Sequence, residues 1–203
     1  AHVCTDAVFV RRVFLDVIGT LPTAAETGEF LKDKSPNKRA ALIDRLLTRD
    51  EYADYWGMKW SDLLRVKAEF PVNLWPNAAQ AYHHWIVTSL RANLTYDQFA
   101  RTLLTSNGSN FRVGPVNFYR AVQSKEPATL ARTVALTFMG ERAEKWPDAR
   151  LNAMGAFFTQ LTYKATGEWK EEIVFFDPNK PQPAGDAPSP KFPDGTPATL
   201  SPD

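Results

Sequence analysis

Three charged residues are the main candidates for catalysis in this chain. Asp62 and Arg65 stand three positions apart in a segment with helical periodicity, the spacing at which opposite charges meet on one helix face. Together with Arg120 and the polar loop at 106–110, they would form part of a hydrolase or redox site that another domain completes. A structural ion pair is the simpler interpretation of Asp62 and Arg65, so the sequence leaves the catalytic residues unknown.

Other side chains would suit a sugar. Trp75 lies in the loop PVNLWPN, where we expect an exposed indole, and flat aromatic faces stack on pyranose rings. A carbohydrate-binding domain needs a second aromatic on the same face, which Tyr82 or Phe70 would supply. The polar loop adds groups that hydrogen-bond to hydroxyls, although its composition is also typical of an ordinary turn; these candidates are Ser106, Asn107 and Asn110.

The residue types exclude several kinds of site. Cys4 is the only cysteine, so an intrachain disulfide, a thiolate zinc cage and covalent c-type haem are all excluded. His83 and His84 are neighbours, and neighbouring side chains on a helix diverge by about 100°, so we predict no metal site and no cofactor. The chain contains no nucleophile elbow, phosphate-binding glycine loop or His-Glu-x-x-His motif, so no catalytic signature is present.

Charge and hydropathy limit the partners. The chain has 24 lysines and arginines against 23 acidic residues, and this balance gives no general attraction to nucleic acid. No apolar run approaches the roughly 20 residues of a membrane-spanning helix. With 44% apolar residues, the sequence predicts a globular domain with a substantial core.

Capping signals predict that the chain is almost entirely helical up to residue 163. Thr5 begins a first helix that ends at Gly19, and Thr23 with Glu26 forms a capping box for a second. In the segment 51–66, aromatic residues at helical spacing predict a tryptophan-rich core; the stripe consists of Tyr52, Trp56, Trp60 and Leu63 or Leu64. A second capping box, of Thr95 with Gln98, predicts another helix start, and further starts are indicated at Ser35–Pro36, Asn77, Pro127 and Pro147.

The character of the sequence changes near the C-terminus. We expect the helix that begins at Pro147 to reach about Tyr163, and the β-branched and aromatic residues at 171–177 to form a short extended segment. Eight of the fifteen prolines follow, which predicts a linker or wrapping tail. The predicted organisation is a mainly α, irregular multi-helix domain at 1–176, with one short β segment, and a Pro-rich extended tail at 177–203.

The order of several segments resembles a known family. The segments are RRVFLDVIGTLPT at 11–23, KRAALIDRLLTRDEYADYWGMKWSDLLRV at 38–66, YHHWIVTSLRANLTYDQFARTLL at 82–104, VNFYRAV at 116–122 and GEWKEEIVFFDP at 167–178. They are similar to the bacterial cytochrome-associated domain of unknown function 1549, also called the planctomycete cytochrome C domain of the second type. The resemblance covers nearly the whole chain.

One segment departs from the family pattern. In many relatives the apolar helix that ends in Phe-x-Gly is followed by a Cys-x-x-Cys-His haem-attachment sequence and then a tryptophan. Here Gly140 leads almost directly to Trp146, so roughly ten residues of the expected insert are missing, including both thioether cysteines and the axial histidine. The resemblance therefore implies a variant that has lost the haem loop or a sequence from which that segment is omitted.

The resemblance implies a role without a reaction, because the family has none assigned. Relatives look like parts of large exported proteins, so we expect a periplasmic or extracellular location and, as partners, other protein domains or subunits. The leading hypothesis is a non-catalytic interaction or scaffold module in a polysaccharide-related or electron-transfer assembly. The alternatives are part of an enzyme site and a carbohydrate-binding domain, with a polysaccharide as a further partner.

Overall fold

The computed structural model describes residues 4–180 and 189–198. The chain divides into two compact units. Unit 1 comprises the described residues up to Ser61 together with Ile86–Leu94, and unit 2 comprises Asp62–Trp85 and the described residues from Thr95 onwards. The domain boundary that the sequence suggests at residue 176 remains a prediction.

Unit 1 is built from helices whose ends follow the predicted caps. The Thr5 side chain accepts a hydrogen bond from the backbone amide of Val8, and Gly19 ends the first helix with a left-handed φ of 71°. The complete capping box of Thr23 and Glu26 begins the second helix. The helices are α1 (Asp6–Ile18), α2 (Ala24–Lys32), α3 (Lys38–Leu47), α4 (Asp50–Leu63) and α5 (Pro76–Arg91). The last two residues of α4 belong to unit 2, and α5 belongs to unit 2 up to Trp85.

The core of unit 1 forms where α1, α2 and α3 pack together. Apolar residues three or four apart on α1 lie on one face, and they meet Phe30 of α2 and Leu42 and Leu46 of α3. The α1 members of this cluster are Val10, Val13, Phe14 and Ile18.

Unit 2 contains shorter helices and several irregular turns. Its α-helices are α6 (Tyr96–Thr105), α7 (Asn117–Ala121), α8 (Pro127–Val134) and α9 (Asp148–Gly155). Short 3-10 helices lie at Gly114–Val116, Ala143–Lys145 and Ala156–Phe158, and a π-helical turn at Ala135–Met139 extends α8. Gly140 then ends this helix with a left-handed φ of 66°, as predicted.

A small antiparallel sheet completes unit 2. Its strands are β1 (Gly108–Ser109), β2 (Leu161–Ala165) and β3 (Glu172–Phe176), in the order β1-β3-β2. The predicted extended segment is therefore the central strand. The prediction of a helix from Pro147 to Tyr163 is wrong, because α9 ends at Gly155 and residues 161–165 pair with β3 in the register Leu161 to Phe176.

The predicted tryptophan-rich core is also wrong. All six tryptophans lie in the described residues, and none of them is buried. On α4 the buried positions are Ala53 and Gly57, whereas Trp56 and Trp60 are half-buried, because small residues let α4 pack closely while bulky indoles lie at the edge. The core of unit 2 instead consists of aliphatic, phenylalanine and tyrosine side chains, including Leu74, Tyr82, Leu103, Val116, Phe118, Tyr119, Leu130 and Val174.

The described part of the proline-rich tail packs on α9. The Lys191 amide donates to the carbonyl of Ala153 at 3.2 Å, and Arg150 Nε donates to the carbonyl of Pro193 at 3.0 Å. The Phe192 ring lies 5.4 Å from the Phe157 ring, centroid to centroid. The predicted tail segments at 181–188 and 199–203 lie outside the described residues. The mainly α fold class is confirmed by the helices and the single small sheet.

Candidate functional site

The loop between β2 and β3 is held in one conformation by its own hydrogen bonds. The amide of Thr166 donates to the carbonyl of Glu171, and the amide of Glu171 donates to the carbonyl of Glu168, both at 3.2 Å. Lys170 adopts a left-handed φ of 65°, which few residues other than glycine accept without cost. Within this tight loop Trp169 remains 72% exposed.

Glu171 connects the loop to the preceding polar segment. Its carboxylate accepts hydrogen bonds from the hydroxyl of Ser109 and from that of Thr166, the latter at 2.7 Å, and the residue is only 8% exposed. The hydrogen bonds from Ser109 and then Thr166 lower the pKa of Glu171 below its ordinary value. The carboxylate is therefore held ionised, in a role that stabilises the sheet.

Asn110 is the most buried residue of the polar loop. Its side-chain Oδ1 accepts a hydrogen bond from the backbone amide of Glu172 at 2.9 Å. Its backbone amide donates to the carbonyl of Glu172 at 3.0 Å. The Asn110 carbonyl accepts from Nδ2 of Asn117 at 2.7 Å. Of the other loop candidates, Ser106 donates to the carbonyl of Thr102 at 2.6 Å and Asn107 is exposed. The loop thus joins the sheet to the helices mainly through Asn110.

Arg120 and Glu172 form the principal ion pair near this loop. Arg120 Nη1 lies 2.7 Å from Glu172 Oε2, with side chains 17% and 26% exposed. Arg120 Nε and Glu172 Oε2 are buried, and no described residue forms a hydrogen bond with either atom. Nearby, burial raises the pKa of Tyr163, while Arg120 lowers it and Glu172 raises it. The Arg120 side chain therefore combines an ion pair with a buried donor that has no hydrogen bond among the described residues.

Arg120 and the loop between β2 and β3 line an open pocket, here named the hairpin pocket. It has a volume of about 440 Å³, and its lining consists of Arg120 and residues 165–172. The polar loop and Arg120 were predicted as site residues, and the structure brings Ser109, Asn110 and Arg120 near the same strand, β3. Trp169, Glu171 and Glu172 are not among the predicted site residues, although their clustering in GEWKEE is a visible signal.

Asp62 and Arg65 do not join this site. The predicted ion pair is wrong, because α4 ends at Leu63 and Arg65 lies beyond it with a left-handed φ of 57°. Both residues are exposed. The Arg65 backbone amide donates to the Asp62 carbonyl at 3.2 Å, and no ion pair joins their side chains in the part of the chain that the structure describes. Arg65 lines a separate pocket of about 440 Å³ that also includes Phe118 and Leu136.

The predicted aromatic platform is only partly exposed. Trp75 is 41% exposed and Phe70 is 84% exposed, as expected for side chains in a loop. Tyr82 is fully buried, so its proposed pairing with Trp75 is wrong. His83 and His84 are both exposed on α5. Across residues 4–180 and 189–198, no three histidine, cysteine or carboxylate side chains come together as a metal site would require.

An apolar groove lies on another part of unit 2. It has a volume of about 630 Å³. The walls are mainly Leu104, Val134, Met154, Phe157, Phe158, Phe176 and Phe192. Asp97, Arg101 and Gln160 add polar side chains to the lining. A mainly apolar lining with a few polar groups is typical of ligand and peptide recognition sites.

The comparisons with known proteins decide the family. A family model described as PSCyt2, a protein of unknown function (DUF1549), matches residues 1–164. The chain belongs to the DUF1549 family. No curated protein and no solved structure matches this chain. In the described residues, no helix combines the length and the apolar character that crossing a membrane requires.

The link that departs from the family pattern is a short turn. After Gly140, Glu141 Oε2 accepts a hydrogen bond from Trp146 Nε1 at 3.1 Å, and the Arg150 guanidinium lies 3.8 Å from the centroid of the Trp146 ring. Residues 138–158 contain no cysteine and no histidine. The residues of this DUF1549 member therefore do not fit covalent haem attachment at the link.

Proposed function

We propose that this chain is a non-catalytic interaction module of an exported multidomain protein. The observation that supports the proposal is the apolar groove, because a mainly apolar surface with a few polar side chains suits contact with another protein segment. Phe192 from the proline-rich tail is 50% exposed at this groove. The tail therefore adds apolar surface where a partner would dock.

The arrangement of the polar candidates also favours binding over catalysis. Glu171 and Asn110 are used in hydrogen bonds that join strands and loops. Arg65 lines a different pocket from Arg120, and Asp62 lines neither of the two. A hydrolase or redox site needs such groups to converge with shifted pKa values. An enzyme site completed by another domain consequently has less support. The proposed location outside the cytoplasm is supported only by the family resemblance.

The proposal is tested by isolating the parent protein under native conditions with and without a groove substitution. We expect Phe192→Ser to abolish copurification of a partner that binds the wild type, because it removes exposed apolar surface from the groove. Phe70→Ser is the matched control, since Phe70 is 84% exposed outside the groove. Equal partner recovery with both variants, each folded by circular dichroism, would contradict the proposal.

A further inference from the structure

We propose that the hairpin pocket, lined by Arg120 and residues 165–172, binds a neutral saccharide. This site differs from the groove proposed for protein partners, and the two proposals succeed or fail separately. Three features support the assignment: an exposed indole, an adjacent donor and acceptor, and a balance of charge that disfavours acidic ligands.

The exposed indole is Trp169. It is 72% exposed and lines the pocket, so a sugar ring would find most of its surface available. The ammonium of Lys170 lies over the indole, 5.0 Å from the ring centroid, and covers one face. The other face remains for the apolar side of a pyranose ring, whose C–H groups pack on aromatic surfaces.

The donor and acceptor are supplied by Arg120 and Glu172. Arg120 Nη1 and Glu172 Oε2 lie 2.7 Å apart in the pocket lining. Neither Arg120 Nε nor Glu172 Oε2 makes a hydrogen bond within the described residues, which is costly for buried polar atoms. These two atoms are buried, but the side chains are 17% and 26% exposed, so a sugar hydroxyl, which both donates and accepts, would bond to their exposed parts.

The charges of the lining favour a neutral ligand. Two cations, Arg120 and Lys170, and three carboxylates, Glu168, Glu171 and Glu172, line the pocket. Arg112 Nε lies 3.9 Å from the Glu171 carboxylate, so this third cation balances the third carboxylate. An acidic sugar would lose the hydration of its carboxylate without a net attraction there, whereas a neutral hydroxyl-rich ring would meet both donors and acceptors.

The loop is already ordered before a ligand binds. In addition to the backbone bonds above, the Glu168 amide donates to Thr166 Oγ1 at 3.1 Å, and Thr166 Oγ1 donates to Glu171 at 2.7 Å. A preorganised loop loses little conformational entropy on binding, so little binding free energy is lost to ordering the site.

The experiment measures retention of the purified chain in native gels that contain a soluble glucan, a xylan or a galactomannan, with acidic alginate as the charged probe. We expect retention by at least one neutral polysaccharide and none by alginate. Trp169→Ala should reduce retention by up to about tenfold, because removal of an aromatic contact costs up to about 1.5 kcal/mol. Trp75→Ala is the matched control, since it removes another exposed tryptophan of unit 2.

The outcomes separate this proposal from its competitors. Retention that Trp169→Ala abolishes and Trp75→Ala leaves unchanged supports the hairpin pocket. Retention that depends on Trp75 instead would place the sugar at the other loop and overturn the proposal. It is also overturned if no neutral polysaccharide retains the chain, or if alginate retains it equally well. Phe192→Ser, which tests the groove, should leave saccharide binding intact.

Discussion

At the scale of single residues, two buried tyrosines make opposite use of their hydroxyl groups. Tyr82 and Tyr119 are both fully buried in unit 2. The Tyr119 hydroxyl donates to the carbonyl of Leu104 at 2.7 Å, whereas no hydrogen-bond partner for the Tyr82 hydroxyl lies among the described residues. A buried polar group without a partner costs free energy of folding, while a satisfied one stabilises the fold.

Replacement of these tyrosines by phenylalanine should therefore change stability in opposite directions. We expect Tyr82→Phe to raise the free energy of unfolding by about 1 kcal/mol, because it removes an unsatisfied hydroxyl. Tyr119→Phe should lower it by about 1 to 2 kcal/mol, because the carbonyl of Leu104 loses its donor. Urea unfolding followed by circular dichroism measures both. A loss of stability in Tyr82→Phe would indicate that the hydroxyl has a hydrogen-bond partner.

The sequence predicted some residue roles and not others. The exposure of Trp75 was predictable, because a loop between two prolines leaves little room for a packed indole. The role of Asn110 was not, because its partners Lys170 and Glu172 are about 60 residues away along the chain. Arg120 is a catalytic candidate in the sequence, but only the fold shows that it forms an ion pair with Glu172.

At the scale of elements, local signals predicted the helices well and tertiary contacts decided the rest. The capping box of Thr23 and Glu26 is encoded within four residues and is confirmed. The box predicted for α6 is wrong, because Thr95 Oγ1 bonds to Asp97 at 2.6 Å and makes no cap to the helix backbone. Strand β2 exists through its pairing with β3, so local helical periodicity could not predict it.

Close packing of elements in unit 2 depends on Gly114. A Cβ atom at this position would lie 2.4 Å from the carbonyl oxygen of Ala81 and 2.7 Å from Cβ of Trp85. Because the nearest atom belongs to the backbone of α5, side-chain rotation cannot relieve the overlap. We expect Gly114→Ala to lower the free energy of unfolding by about 2 to 3 kcal/mol, measured in urea.

Gly28 provides the matched control within a helix. It lies in α2, and a Cβ atom there would meet no other atom within 4 Å. Alanine favours helix more than glycine does, so Gly28→Ala should raise the free energy of unfolding by about 0.5 to 1 kcal/mol. If both alanine variants had the same effect, the steric interpretation of Gly114 would fail.

At the scale of the whole molecule, stability should fall in acid. Hydrogen bonds from Arg49 lower the pKa of Glu51 from 4.5 to about 2, and other carboxylates in ion pairs and caps are also lowered; these include Asp6, Glu26 and Glu171. A carboxylate whose pKa is lower in the folded chain than in the unfolded chain stabilises the fold at pH values above its unfolded pKa. This contribution is lost as the pH falls through the folded pKa.

The acid transition should lie in the window of these shifts. We expect the melting temperature to decrease progressively between about pH 4.5 and about pH 2, the limits set by Glu51. Arg49→Met removes the partner of both Glu26 and Glu51, so it should lower the melting temperature at neutral pH and flatten its acid dependence. An unchanged acid profile in this variant would show that these pairs contribute little.

Stability should also fall in alkali, because the pKa values of three tyrosines are raised in the folded chain. Burial raises the pKa of Tyr82, Tyr119 and Tyr163 above the ordinary value of 10.0. A tyrosine whose pKa is higher in the folded chain than in the unfolded chain contributes stability that is fully present below the unfolded pKa. This stability is lost as the pH rises through the folded pKa, because the unfolded chain releases the proton more easily. The ultraviolet absorbance of tyrosinate should therefore show, near about pH 11, fewer ionised tyrosines in the folded chain than in the chain unfolded in urea. Equal ionisation in both states would mean that these hydroxyls are open to solvent, and it would also remove the basis for the contrast between Tyr82 and Tyr119.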